Sequence, residues 1–180
     1  ENARVFEVTD DMFEAVYQAG DQVLQDGMDI SSATGMRLKD TITVLLPESH
    51  KLRLDSSKTG KKADFDISLS SVLPGLIERR RKLRAEHMML LSTPTGRPVT
   101  YRMLRERWEF AREWAALNAE AAGELSLAAR IRTMVLRDMR KRASDLAEND
   151  EEASRLLQHS SVTLTRKHYR TRATVLKPVR

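Results

Sequence analysis

Two short stretches of the chain alternate apolar and polar residues. Leu52 and Leu54 mark the first, Phe65, Ile67 and Leu69 the second, and between them runs the polar segment Ser56-Ser57-Lys58-Thr59-Gly60-Lys61-Lys62. A period of two puts one face of each stretch inside, so the pair predicts a β-hairpin with lysines at its tip. Elsewhere the apolar residues recur at helical spacing. Residues 9–25 carry a stripe of Met12, Phe13, Val16, Tyr17, Val23 and Leu24, with Thr9 or Asp10 as the cap and Gly27 as the break. A short helix is expected over 36–40, then a β-branched stretch over 41–46 stopped by Pro47. After Pro74 a helix places Leu76, Ile77 and Leu83 among Arg79, Arg80, Arg81, Lys82 and Arg84. Residues 93–100 read as a loop, 101–117 as a helix, and 118–126 as a connector. Helices follow over 138–148, 151–157 and around Tyr169. One hairpin among helices is an α+β fold, mostly helical with a small antiparallel sheet. A chain of 180 residues suits one domain.

Composition narrows the chemistry. The chain has no cysteine, which removes disulfide frameworks, thiolate zinc sites and cysteine nucleophiles. No apolar run reaches the roughly 20 residues that span a bilayer. Residues 1–11 are charged, so no secretory leader is expected there. A net charge of +5 and a pI of 9.7 permit a polyanionic partner. Aromatic residues are only 5% of the chain, which disfavours a single-strand binder built on stacked rings.

Histidine occurs only at 50, 87, 159 and 168, never at the i, i+4 spacing of a helical zinc site. Asp64 and Asp66 share a strand face and offer either a divalent-ion site or simply a solvated face. More distinctive is a set of cations with one tyrosine. Arg37 follows Gly35 closely and precedes Asp40 by three residues. Arg137 and Arg140 share a helix face. His159 lies in Leu156-Leu157-Gln158-His159-Ser160-Ser161, and Tyr169 lies in Thr165-Arg166-Lys167-His168-Tyr169-Arg170. Singly, each reads as a solvated face or as packing.

Together and in this order, these segments resemble the tyrosine recombinases, the phage-integrase family. Residues 34–40 resemble the family's first arginine box, and Ser57-Lys58-Thr59-Gly60-Lys61 resembles the hairpin of its catalytic lysine. Asp138-Met139-Arg140 resembles the second arginine box, and residues 156–161 followed by Tyr169 resemble the closing signature. The resemblance implies DNA cleavage and rejoining through a 3′-phosphotyrosine, with no metal or other cofactor. It implies Tyr169 as nucleophile, Arg37 and Arg140 on the phosphate, Lys58 as general acid, His159 as a phosphate hydrogen-bonding group, and Asp40 orienting Arg37 or another active-site group. Tyr17 and Tyr101, on apolar helix faces, read as packing.

Lys61, Lys62, Arg102 and Arg105, with the 79–84 cluster, are candidates for DNA phosphate contacts or else solvated faces. The implied partner is double-stranded DNA, engaged by a tetramer of the full-length protein. The implied setting is cytoplasmic, on DNA, with no membrane. The leading reading is site-specific recombination and integration by a phage or prophage integrase. Alternatives are a catalytically degenerate DNA-binding relative, a type IB topoisomerase-like activity, and a metal-dependent nuclease using Asp64 and Asp66.

The sequence departs from the family pattern at four points. Arg137 stands where the family usually has histidine, and Gln158 replaces the glycine before the third-box histidine. The interval from Arg140 to His159 is short, and that from His159 to Tyr169 is one longer than the commoner spacing. Two placements are open for Arg137: a third arginine on the phosphate, or an outward-pointing side chain. The family also carries an N-terminal core-binding domain for which the chain has no room. Residues 1–180 are therefore expected to be a catalytic domain, with 170–180 as its C-terminal tail.

Overall fold

The computed structural model describes residues 4–157. Eight α-helices and one hairpin follow in chain order: α1 (Asp10–Ala19), α2 (Gln22–Thr34), α3 (Leu38–Thr43), β1 (Lys51–Asp55), β2 (Lys62–Asp66), α4 (Leu73–Lys82), α5 (Tyr101–Ala121), α6 (Leu125–Thr133), α7 (Asp138–Leu146) and α8 (Asp150–Leu156). The mostly helical α+β expectation holds among these residues. The hairpin is antiparallel, pairing Leu52 with Phe65 and Leu54 with Ala63. Leu52 and Leu54 are buried, as their alternation requires.

Helices form the core. α5 lies against α1 and α6, and α2 lies against α7. Leu24, Met28, Ile30, Leu104, Trp108 and Ile131 are among its buried side chains. Thr100 caps α5, its hydroxyl accepting from the Met103 amide at 3.1 Å.

Several expected boundaries are corrected. The stripe over 9–25 is two helices, because Asp21 caps a new one by accepting from the Leu24 amide at 3.0 Å. Gly27 does not break the second helix. A Cβ there would lie 2.9 Å from Leu104 Cδ1, so glycine lets α2 and α5 approach closely. The helix expected at 36–40 is α3, shifted towards Thr43. β2 stops at Asp66, whose carboxylate accepts from the Ser68 amide at 3.0 Å and starts a 3₁₀ turn over Ile67–Leu69. Leu69 consequently faces solvent. The connector at 118–126 is instead the end of α5, a turn at Gly123, and the start of α6.

The basic run on α4 is held by the fold itself. Arg79 grips the Asp26 carboxylate through two 2.9 Å hydrogen bonds, and Arg80 donates to the carbonyls of Met89 and His87. Arg81 donates to the Pro47 carbonyl, and Lys82 pairs with Glu78 one turn away. Four of the cluster's cations thus have partners within the fold.

Candidate active site

The site is assembled where α2 ends. Thr34 Oγ1 donates to the Ile30 carbonyl at 2.6 Å and accepts from the Met36 amide at 3.2 Å. Gly35 adopts φ +68°, a left-handed turn that glycine makes without strain. A Cβ on Gly35 would lie 3.1 Å from Leu157 and 3.2 Å from Leu156, so the close approach of the end of α8 also depends on glycine. The turn delivers Arg37 as the N-cap residue of α3, half-buried, with Nη1 donating to Ser56 Oγ at 3.3 Å.

Asp40, one turn into α3, is buried and accepts from the Ser57 amide at 3.1 Å. Its Oδ2 has no hydrogen-bond partner among the described residues. Asp40 therefore holds the lysine hairpin rather than Arg37. Ser56 closes the hairpin tip: its amide donates to the Lys61 carbonyl, and its carbonyl accepts from the Gly60 amide, both at 2.9 Å. Lys58 lies within that tip and is exposed.

The second half of the site comes from α7. Asp138, fully buried, accepts from Arg4 and from the Val135 amide, which sets the helix start. Two residues on, the buried Arg140 donates to the Gly35 carbonyl and, at 2.7 Å, to the Leu157 carbonyl. One guanidinium thus ties the ends of α2 and α8 together. Arg137, the N-cap residue of α7, is exposed.

Arg37, Arg137 and Arg140 line one cavity of about 160 Å³ with Ser31, Met36 and Leu38. No carboxylate is among those lining residues. Residues about 100 positions apart are brought together here. His159 and Tyr169, the other two groups the sequence singled out, lie outside the described residues; Leu157 is two positions before His159.

The remaining candidates lie elsewhere. Lys61 and Lys62 are exposed on the hairpin. Arg102 pairs with Glu106 at 2.8 Å, and Arg105 with Glu109 at 3.6 Å, both along the exposed side of α5. Asp64 is bound in two places by Arg53, which holds its carboxyl below the usual range, and Asp66 is bound to Ser68. Tyr17 packs on Phe13 and donates to Asp29 at 2.8 Å. Burial pushes that tyrosine's pKa up and raises Asp29 to about 6. Tyr101 is a correction: it is half exposed at the first turn of α5, not packed. The anchors Ser56 and Ser57 escaped the sequence reading. A signal for Ser56 existed, since it continues the inward period of Leu52 and Leu54 and is buried.

No known sequence family matches the chain, and no curated protein matches it in sequence. Solved structures do. A lambda integrase fragment, residues 75–356, crystallised as a dimer on a COC′ core site, superposes with a TM-score of 0.70 at 17% identity, over all of this chain and 64% of that one. A lambda integrase tetramer bound to a Holliday junction gives 0.67 at 18%, over all of this chain and 52% of that one. XerA recombinase gives 0.60 at 13%, over 94% of this chain and 61% of that one. The chain therefore spans between half and two thirds of each of these three structures. At these identities the likeness is one of fold, and the fold is that of a tyrosine recombinase catalytic domain.

Proposed function

We propose that the chain catalyses site-specific DNA recombination by cleaving and rejoining a strand through a 3′-phosphotyrosine at Tyr169, in the manner of a phage or prophage integrase. The observation that carries the reading is the convergence of Arg37, Arg137 and Arg140 on one cavity, beside a lysine hairpin anchored to the same short helix. The lambda integrase and XerA likeness supports it as one of fold.

On this reading the Tyr169 hydroxyl attacks a backbone phosphate and a 5′ hydroxyl departs. The bond energy is kept in the phosphotyrosine, so rejoining needs no separate energy source. Negative charge builds on the non-bridging oxygens as phosphorus becomes five-coordinate. Arg37 and Arg140 donate hydrogen bonds to those oxygens. Arg140 is rigid because its seat is buried between two carbonyls, whereas Arg37 exchanges its contact with Ser56 for the phosphate. Lys58 protonates the leaving oxygen, and His159 donates to the phosphate. Arg137, at the cavity mouth, supplies charge and hydrogen bonds but cannot take a proton, because guanidinium stays protonated at working pH. Duplex DNA is the substrate, and a tetramer of the full-length protein forms on it.

The test is a pool of end-labelled duplexes, each carrying a nick that lets the cleaved end diffuse away. The wild-type chain should yield a labelled, detergent-stable adduct in the presence of chelator, and Tyr169→Phe should bind DNA without forming one. Binding with no adduct from the wild type would instead identify a degenerate relative. Relaxation of any supercoiled plasmid would indicate type IB topoisomerase-like activity.

A further inference from the structure

α5 is apolar on two sides. Leu104, Trp108, Ala111 and Ala115 face the core. On the outer side Phe110, Trp114 and Leu117 are 64%, 49% and 44% exposed. With Arg107 and Ala121 at the two ends they fall at alternating steps of three and four, the spacing of a coiled-coil seam, while Met103, one step before Arg107, packs against the core. Arg107 is drawn aside to Asp21 at 2.9 Å, which leaves the aromatic pair contiguous. Phe110 and Trp114 meet edge to face, with centroids 6.3 Å apart. Beside Phe110, between Gly20 and Glu106, lies a hollow of about 490 Å³. A run of large exposed side chains at this period marks a contact surface rather than scattered surface residues.

Charge decides what covers it. Glu106, Glu113 and Glu120 border one side of the stripe at seven-residue steps. Arg102 pairs with the first, and Arg132 bridges the other two, so that trio keeps one net negative charge. A second copy laid antiparallel would set glutamate against glutamate. Laid parallel, it would need the Leu104 and Ala111 side of the helix, which is buried in the core.

We infer that the outer face of α5 is a docking site for an amphipathic helix of a partner protein, running antiparallel with its apolar residues on Phe110, Trp114 and Leu117 and its lysines or arginines against the glutamate border. A side chain at one end of that helix enters the hollow beside Phe110.

The test uses two synthetic 21-residue helical peptides with leucine at both seam positions, one flanked by lysine and the other by glutamate. Trp108 is buried in the core, so a shift in tryptophan emission on binding reports Trp114. The lysine peptide should shift the emission to the blue saturably, even though the chain's net charge of +5 repels it at long range. Phe110→Ser should weaken that binding at least about tenfold while leaving the thermal unfolding midpoint unchanged, because the side chain it removes is mostly in solvent. Glu113→Lys should weaken it as well. The inference is overturned if the lysine peptide does not bind, if the glutamate peptide binds equally, or if Phe110→Ser binds as the wild type does. It is also overturned if the chain alone forms a dimer that Phe110→Ser abolishes, since the occupant would then be a second copy.

Discussion

Asp29→Asn should make the chain more stable at pH 8 and leave it unchanged at pH 4. Asp29 lies in α2, nearly buried, with its carboxyl against the Tyr17 hydroxyl at 2.8 Å and Asp26 nearby. Burial raises its pKa from 3.8 to about 6, with the neighbouring Asp26 charge adding to the rise and the Tyr17 hydrogen bond and Arg79 opposing it. The folded state therefore holds its proton more tightly than the unfolded chain. Wild-type stability from this group is present in full below about pH 4, falls as pH rises towards 6, and is flat above. The gap corresponds to at most about 3 kcal/mol. Partial hydration and the Arg79 charge bring the expected gain at pH 8 to about 1–2 kcal/mol. Asparagine keeps an acceptor for Tyr17, so packing is preserved. Urea unfolding of both proteins at pH 4, 6 and 8 measures the difference. A gain of equal size at every pH, or none at pH 8, would refute the reasoning.

Three further outcomes follow from the site. Gly35→Ala should lose about 2–3 kcal/mol in urea unfolding, from the left-handed backbone and from crowding of Leu156 and Leu157; a loss under about 0.5 kcal/mol would mean α8 does not pack on that turn as described. Lys58→Ala should cleave ordinary DNA poorly yet recover when the leaving 5′ oxygen is replaced by sulfur, since a thiolate departs without a proton; absence of rescue removes Lys58 from the general-acid role. Arg137→His should retain cleavage and Arg137→Ala should slow it by a factor on the order of 100, whereas full cleavage by the alanine variant would leave Arg137 a bystander at the cavity mouth.

The parts of the fold that rest on local pattern were legible in the sequence. The hairpin follows from Leu52, Leu54 and Phe65, and α7 and α8 fall close to their expected places. What local pattern does not carry is the identity of distant partners. Nothing near Arg79 in sequence announces Asp26, 53 residues away, so the ion pair between them was not legible there. Arg140 was singled out by its spacing from Arg137, but its hold on the Gly35 carbonyl, 105 residues earlier, exists only in the folded chain. The break between α1 and α2 was hidden because their apolar residues stay nearly in phase across Gly20 and Asp21. Helix α6 was missed because Leu127, Ala128 and Ile131 make a short stripe interrupted by Arg130 and Arg132. Tyr101 has an apolar neighbourhood in sequence, yet it precedes the first buried turn of α5 and stays in solvent.

The central claim is a covalent bond between DNA and one tyrosine, and mass spectrometry of the trapped adduct tests it most directly. After nuclease and trypsin digestion, the peptide His168-Tyr169-Arg170 should carry a nucleotide 3′-phosphate on Tyr169. The same nucleotide found on Tyr17, Tyr101 or a serine, or cleavage with no protein-bound nucleotide at all, would contradict the account.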